Sequence, residues 1–262
     1  MTDGDALTSG RTQDVIATPS QWTRLLLGLC VVLAVFQWSA VALGSDRGQA
    51  GLAVGAPVVA TTLVVERVVF GQRLLPALRA LGFGRPRTTG LVVTCGICLL
   101  LLVVLLVFVR VTGASAVFSS DALSLTPGLF AQAGIAEEVL FRGYLYGHLR
   151  HGRSFWRAAW LSMLPFVGVH LLLFFTMPWP IALAALLLSV VLSFPFAHLF
   201  ELGGGTFWAP ALLHAVIQGT VKVVVVAGDA ASVFPFVWMT ASATLPMLAF
   251  GVSRSQRLWP PR

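Results

Sequence analysis

TGLVVTCGICLLLLVVLLVFVRV, residues 89–111, carries a single charge, Arg110. A bilayer core needs about 20 apolar residues in a helix, so this stretch reads as a membrane span. The rest of the chain agrees. Of its 262 residues, 57% are hydrophobic and 10% are charged, and the mean hydropathy is +0.89. Soluble domains carry about 25% charged residues. The expected fold is therefore all-α, a polytopic transmembrane helix bundle of about eight spans. They fall near 22–43, 51–70, 89–111, 126–148, 155–176, 180–200, 206–226 and 233–252. Residues 1–20, with Asp3, Asp5 and Asp14, read as a flexible polar tail, 21–253 as the membrane domain with a core near 126–220, and 254–262 as a short basic tail.

The net charge of +7 comes from 17 basic residues, of which Lys222 is the only lysine. The arginines gather in loops: Arg73, Arg79, Arg85 and Arg87; Arg150, Arg153 and Arg157; Arg254, Arg257 and Arg262. Opposite them stand Arg47 and Arg110 with Asp46, Asp121 and Asp229. The positive-inside rule then puts both termini in the cytoplasm, and an even number of spans agrees. Loop arginines meet lipid headgroups, so the lipid bilayer is the partner and nucleic acid is not. The stretch LLPALRALGFGRPR at 74–87 reads as a basic loop fixing topology, with an amphipathic segment on the membrane face as the alternative. Cys30, Cys95 and Cys98 lie in apolar runs and read as small buried residues.

The fourth span contains AEEVLFRG, residues 136–143. Each charge at a bilayer centre costs about 2.5–3.5 kcal/mol, so charges persist there only when paired or beside a wet cavity. Glu138 and Arg142 are i and i+4, the favourable order for an ion pair. Glu137 is rotated about 100° away on an α-helix and is free to face another partner. The fifth span offers His170, with Phe166 one turn before it and Pro165 to kink the helix. The seventh offers His214 and Gln218, again i and i+4, below the turn Gly203–Gly205. One polar residue in a span is usually a packing detail; three spans with polar groups at comparable depth point to one site. A carboxylate takes a proton from water; two imidazoles orient that water, hold a metal or stabilise an oxyanion. This is the toolkit of amide hydrolysis. There is no G-x-S-x-G and no H-E-x-x-H. A proton-coupled transporter is the competing class, since buried Glu, Arg and His also make proton relays, although no internal repeat is evident. His148 and His151 read as inner-loop residues, His198 as an interfacial one beside Glu201, and Glu66–Arg67 as an interfacial pair.

EEVLFR at 137–142, FVGVH at 166–170 and WAPALLHAVIQ at 208–218 resemble, in order and spacing, the three motifs of the CAAX protease and bacteriocin-processing family, also called CPBP or Abi. The basic loop leading into LVVTC at 91–95 is similar too, and the resemblance covers roughly residues 70–220. It implies an intramembrane endopeptidase of a bacterial plasma membrane that cleaves a peptide or membrane-protein substrate near the cytoplasmic face. It implies Glu137 as the base, Glu138 paired with Arg142 to position the helix, and His170 and His214 binding the water or a metal. Gln218 stands where that family usually has asparagine or aspartate, one methylene shorter, so a catalytically silent immunity or scaffold protein of the same fold is a further alternative. Glu137, His170 and His214 would suit one zinc with an open fourth position; a glutamate-dependent, metal-free hydrolase suits the same residues.

Overall fold

The computed structural model describes residues 16–43 and 50–253. The tail residues Asp3, Asp5 and Asp14, the loop residues Asp46 and Arg47, and Arg254, Arg257 and Arg262 lie outside the described residues. The chain forms α1 (Pro19–Ala42), α2 (Gly51–Val68), α3 (Leu74–Ala80), α4 (Thr88–Thr112), β1 (Ser115–Phe118), α5 (Ala122–Leu129), α6 (Gly147–Arg150), α7 (Phe155–His170), α8 (Trp179–Leu202), α9 (Trp208–Val223), β2 (Val224–Ala227) and α10 (Phe234–Thr244). Between α5 and α6 the backbone continues through two π-helical stretches, Phe130–Ala136 and Val139–Tyr146. Short 3₁₀ segments extend α7 and α10. The fold is an all-α polytopic bundle, and the chain is an integral membrane protein.

Among the described residues, six helical segments are long and apolar enough to cross a membrane: Pro19–Ala42, Gly51–Val68, Thr88–Thr112, Phe155–Phe175, Trp179–Leu202 and Phe234–Gly251. The expected count of about eight is not confirmed. The two segments left out, near 126–148 and 206–226, are the ones that carry Glu137, Glu138, Arg142, His214 and Gln218. Much of their polar content has a physical reason: Glu138, Arg142 and His214 are buried in protein. Every residue from 139 to 149 is buried. A helix buried all round sits at the centre of its bundle.

The bundle has two apolar cores, and the central helix packs in the first. In the first, Val139, Leu140, Tyr144 and Leu145 pack with Leu25 and Leu29 of α1, Val58 and Val65 of α2, and Phe155 and Phe166 of α7. In the second, Leu101 and Phe108 of α4 pack with Leu192 and Phe196 of α8, Leu213 and Ile217 of α9, and Trp238 of α10. At Gly143 the loop after α3 comes so close that a Cβ would overlap the Leu81 carbonyl; at Gly134 a Cβ would lie 3.0 Å from the Ala211 carbonyl of α9. Small residues let backbones approach in this way where helices pack in a membrane. The stretch read mainly as a basic loop contains the helix α3, with Ala77 and Ala80 buried and Leu74 and Leu75 exposed.

Beyond the all-α expectation, β1 and β2 pair antiparallel, Ser115 opposite Ala227 through Phe118 opposite Val224. The Ser119 amide donates to the Val223 carbonyl at 2.8 Å, just beyond the sheet.

Three expectations about the arginine-rich end are corrected. Glu66 is not an interfacial partner of Arg67: it is fully buried, and its Oε1 lies 2.9 Å from Nε2 of His148. His148 is therefore a core residue, stacked on Phe70 at 4.1 Å between ring centroids. Helix continues to Arg150, past the point where a loop was expected, which carries His148 into the bundle. His198 is buried too, and its Nε2 donates to the Val252 carbonyl at 3.0 Å. Glu201 accepts from the Tyr146 hydroxyl at 2.5 Å and from Nε of Arg150 at 2.6 Å, joining the end of the central helix to α8. Ile16 is buried, and Arg153 donates to its carbonyl.

The contact at Gly143 has no slack, because its neighbour is backbone. Gly143→Ala should cost on the order of 1–3 kcal/mol through overpacking. The measurement is thermal unfolding in detergent, and an unchanged midpoint would contradict the close approach.

Candidate active site

Glu137 and Glu138 lie at the junction of the two π-helical stretches, where the Glu137 amide donates to the Gln132 carbonyl five residues back. Such wide turns inside helices often mark functional sites. Gly134 and Gly143, either side of the pair, let α9 and the loop after α3 close in.

Glu138 is fully buried. Its Oε1 accepts two hydrogen bonds, from Nη1 of Arg142 at 3.0 Å and from Nδ1 of His214 at 2.8 Å. Two charge-assisted bonds to one oxygen offset the cost of burying a carboxylate. Its other oxygen, Oε2, has no partner among the described residues. Arg142 is also buried, and its guanidinium lies over two rings, 4.4 Å from the centroid of Phe166 and 5.1 Å from that of Phe196. Aromatic faces stabilise a desolvated cation.

Because Nδ1 of His214 donates to a carboxylate, Nε2 of the neutral ring keeps its lone pair. That nitrogen lies 3.9 Å from Oε2 of Glu137, whose side chain is 15% exposed. So His214 stands between the two acids, bonded to one and short of the other. Of the two acids, Glu137 is the more accessible.

His170 donates from Nδ1 to the Phe166 carbonyl at 2.8 Å, which fixes its tautomer in the same sense and leaves Nε2 unprotonated. Its ring packs on Phe166 at 4.8 Å, and Glu137, His214 and Arg142 all act on it electrostatically. Gln218 is half-buried on α9, one turn beyond His214. The structure thus draws Glu137, Glu138, Arg142 and His214 into direct contact or near it, with His170 beside them.

Among the described residues, no three of His, Cys, Asp and Glu are grouped so as to hold a metal ion. Glu137, His170 and His214 do not form such a group.

Sequence reading did not single out Phe196, since an aromatic residue in an apolar helix carries no signal. Tyr146 and Arg150 had one: with Glu138 and Arg142 they form a four-residue stripe, and each member of it reaches another helix.

No curated protein and no solved structure matches the chain. The family model described as type II CAAX prenyl endopeptidase Rce1-like matches residues 119–220. All six side chains, Glu137, Glu138, Arg142, His170, His214 and Gln218, lie inside that segment, which thus matches the CAAX protease family that the three motifs resemble.

Proposed function

We propose that the protein is an intramembrane endopeptidase in which Glu137 activates water for attack on a peptide bond. One observation carries the reading: the 3.9 Å gap between Oε2 of Glu137 and Nε2 of His214. It is too long for a direct hydrogen bond and suits a bridging water, which reaches both atoms at about 2.8 Å. Both atoms are acceptors, so the water turns its hydrogens to them and its lone pair outward.

The reaction then follows from ordinary acid–base chemistry. The water oxygen bonds to the scissile carbonyl carbon as its proton passes to Glu137, and the carbonyl electron pair moves onto oxygen. The Gln218 carboxamide donates an N–H to that oxyanion. The tetrahedral carbon collapses, the C–N bond breaks, and Glu137 returns its proton to the leaving amine. Glu138 holds His214 in the tautomer that accepts from water, and Arg142 bonds to the same oxygen of Glu138. His170, fixed by the Phe166 carbonyl, offers Nε2 to the same water. The substrate is a peptide or a membrane protein. The host membrane is a bacterial plasma membrane, with both termini and the cleavage site on the cytoplasmic side, as the loop arginines support.

Glu137→Gln keeps the shape and removes the base, so peptide cleavage by purified protein should fall about 10²–10⁴-fold with an unchanged melting temperature. Undiminished turnover would remove Glu137 from this role. Gln218→Ala should lower kcat about 10²–10³-fold, as loss of an oxyanion donor does, while Gln218→Asn should retain much of the rate. Arg142→Met leaves Glu138 without its cation and should cost roughly 3–5 kcal/mol. Adding Glu138→Gln to that variant should recover part of the melting temperature; a further loss would mean that the pair is not the source of the penalty. A fluorescent protein fused after Arg262 should mature on the cytoplasmic side, and protease digestion of oriented vesicles checks this.

A further inference from the structure

Oε1 of Glu138 receives both Arg142 and His214, and one side chain outside the matched motifs touches both donors. Phe196 of α8 lies 5.1 Å, centroid to carbon, beneath the Arg142 guanidinium. The same ring packs against the His214 imidazole at 5.3 Å with a 53° tilt. We propose that Phe196 is a positioning residue of this site, holding Arg142 and His214 in the arrangement in which both bond to one carboxylate oxygen. The inference rests on the peptidase reading for its kinetic consequence and not for its structural one.

The geometry excludes a role as mere filler. Phe166 also lies against Arg142, at 4.4 Å, so the guanidinium contacts two rings and cannot swing from Glu138 without disturbing that contact. The His214 ring turns about its Cβ–Cγ bond, and Phe196 blocks part of that turn. Were the ring to flip, Nδ1 would leave Glu138 and the lone pair would leave Glu137. Phe196 is itself immobilised, 1% exposed and packed in the second core between α4, α8 and α9. Its ring meets Arg142 and His214, so its effect passes through them.

The test compares two substitutions of similar bulk. Phe196→Met keeps volume and loses the ring; Phe196→Tyr keeps the ring. With histidine ring nitrogens labelled in the full-length protein in detergent micelles, and the His214 signals assigned by difference from His214→Gln, the wild type should show His214 protonated at Nδ1 alone. Phe196→Met should give a mixture of the two tautomers, and Phe196→Tyr should restore the single one. Phe196→Leu repeats the ring-less arm should Phe196→Met unfold. On a cleaved peptide, the ring-less variant should lose on the order of tenfold in kcat, as small misplacements of a reacting group do, with KM within about twofold. An unchanged His214 tautomer in the folded ring-less variant overturns the proposal. If the wild type cleaves no peptide, the peptidase reading falls, while the nitrogen signals still decide the role of Phe196.

Discussion

The carboxylate oxygen Oε1 of Glu138 is the point on which the interior of this bundle depends. It is fully buried, and it binds the only guanidinium at the centre of the described bundle together with the imidazole of α9. Removing Arg142 leaves an unpaired carboxylate in a low-dielectric interior, and the bond from His214 ties α9 to the central helix. The tie lies where both segments are buried: Glu138, Arg142 and His214 are all interior.

Asymmetry between the two adjacent acids is what makes chemistry conceivable here. Glu138 spends its oxygen on structure; Glu137 keeps some exposure and an imidazole just beyond hydrogen-bond reach. His214 belongs to both worlds, because the nitrogen that satisfies Glu138 determines what the opposite nitrogen offers. Rigid support continues down the same helix, where Tyr146 and Arg150 meet Glu201 and His148 meets Glu66. These contacts fix the far end of the helix that carries the acids.

Much of this was legible in the sequence. Hydropathy gave the membrane class, and the i, i+4 spacing of Glu138 and Arg142 anticipated their contact. What periodicity missed has physical causes. Glu66 and His148 lie near predicted span ends, where water is the default partner, and only the packing of α2 on the extended central helix removes it. Phe196 was invisible because an aromatic ring in an oily helix looks the same whether it faces lipid, core or cation. The π-helical turns were not anticipated either, since no residue type announces them. The two segments that length and hydropathy leave out of the span count are those whose polar side chains are buried in protein, a burial that hydropathy does not register.

The small sheet has a mechanical meaning. β1 leads into the helix bearing Glu137, and β2 leaves the helix bearing His214. Their four-residue pairing, with the bond from Ser119 to Val223, staples these two carriers together at one extremity. Two rods pinned at one tip behave as tweezers: they can part only at the free tips. Any widening that admits a bulky chain between them therefore has a direction built in, away from the staple and toward the arginine-rich end.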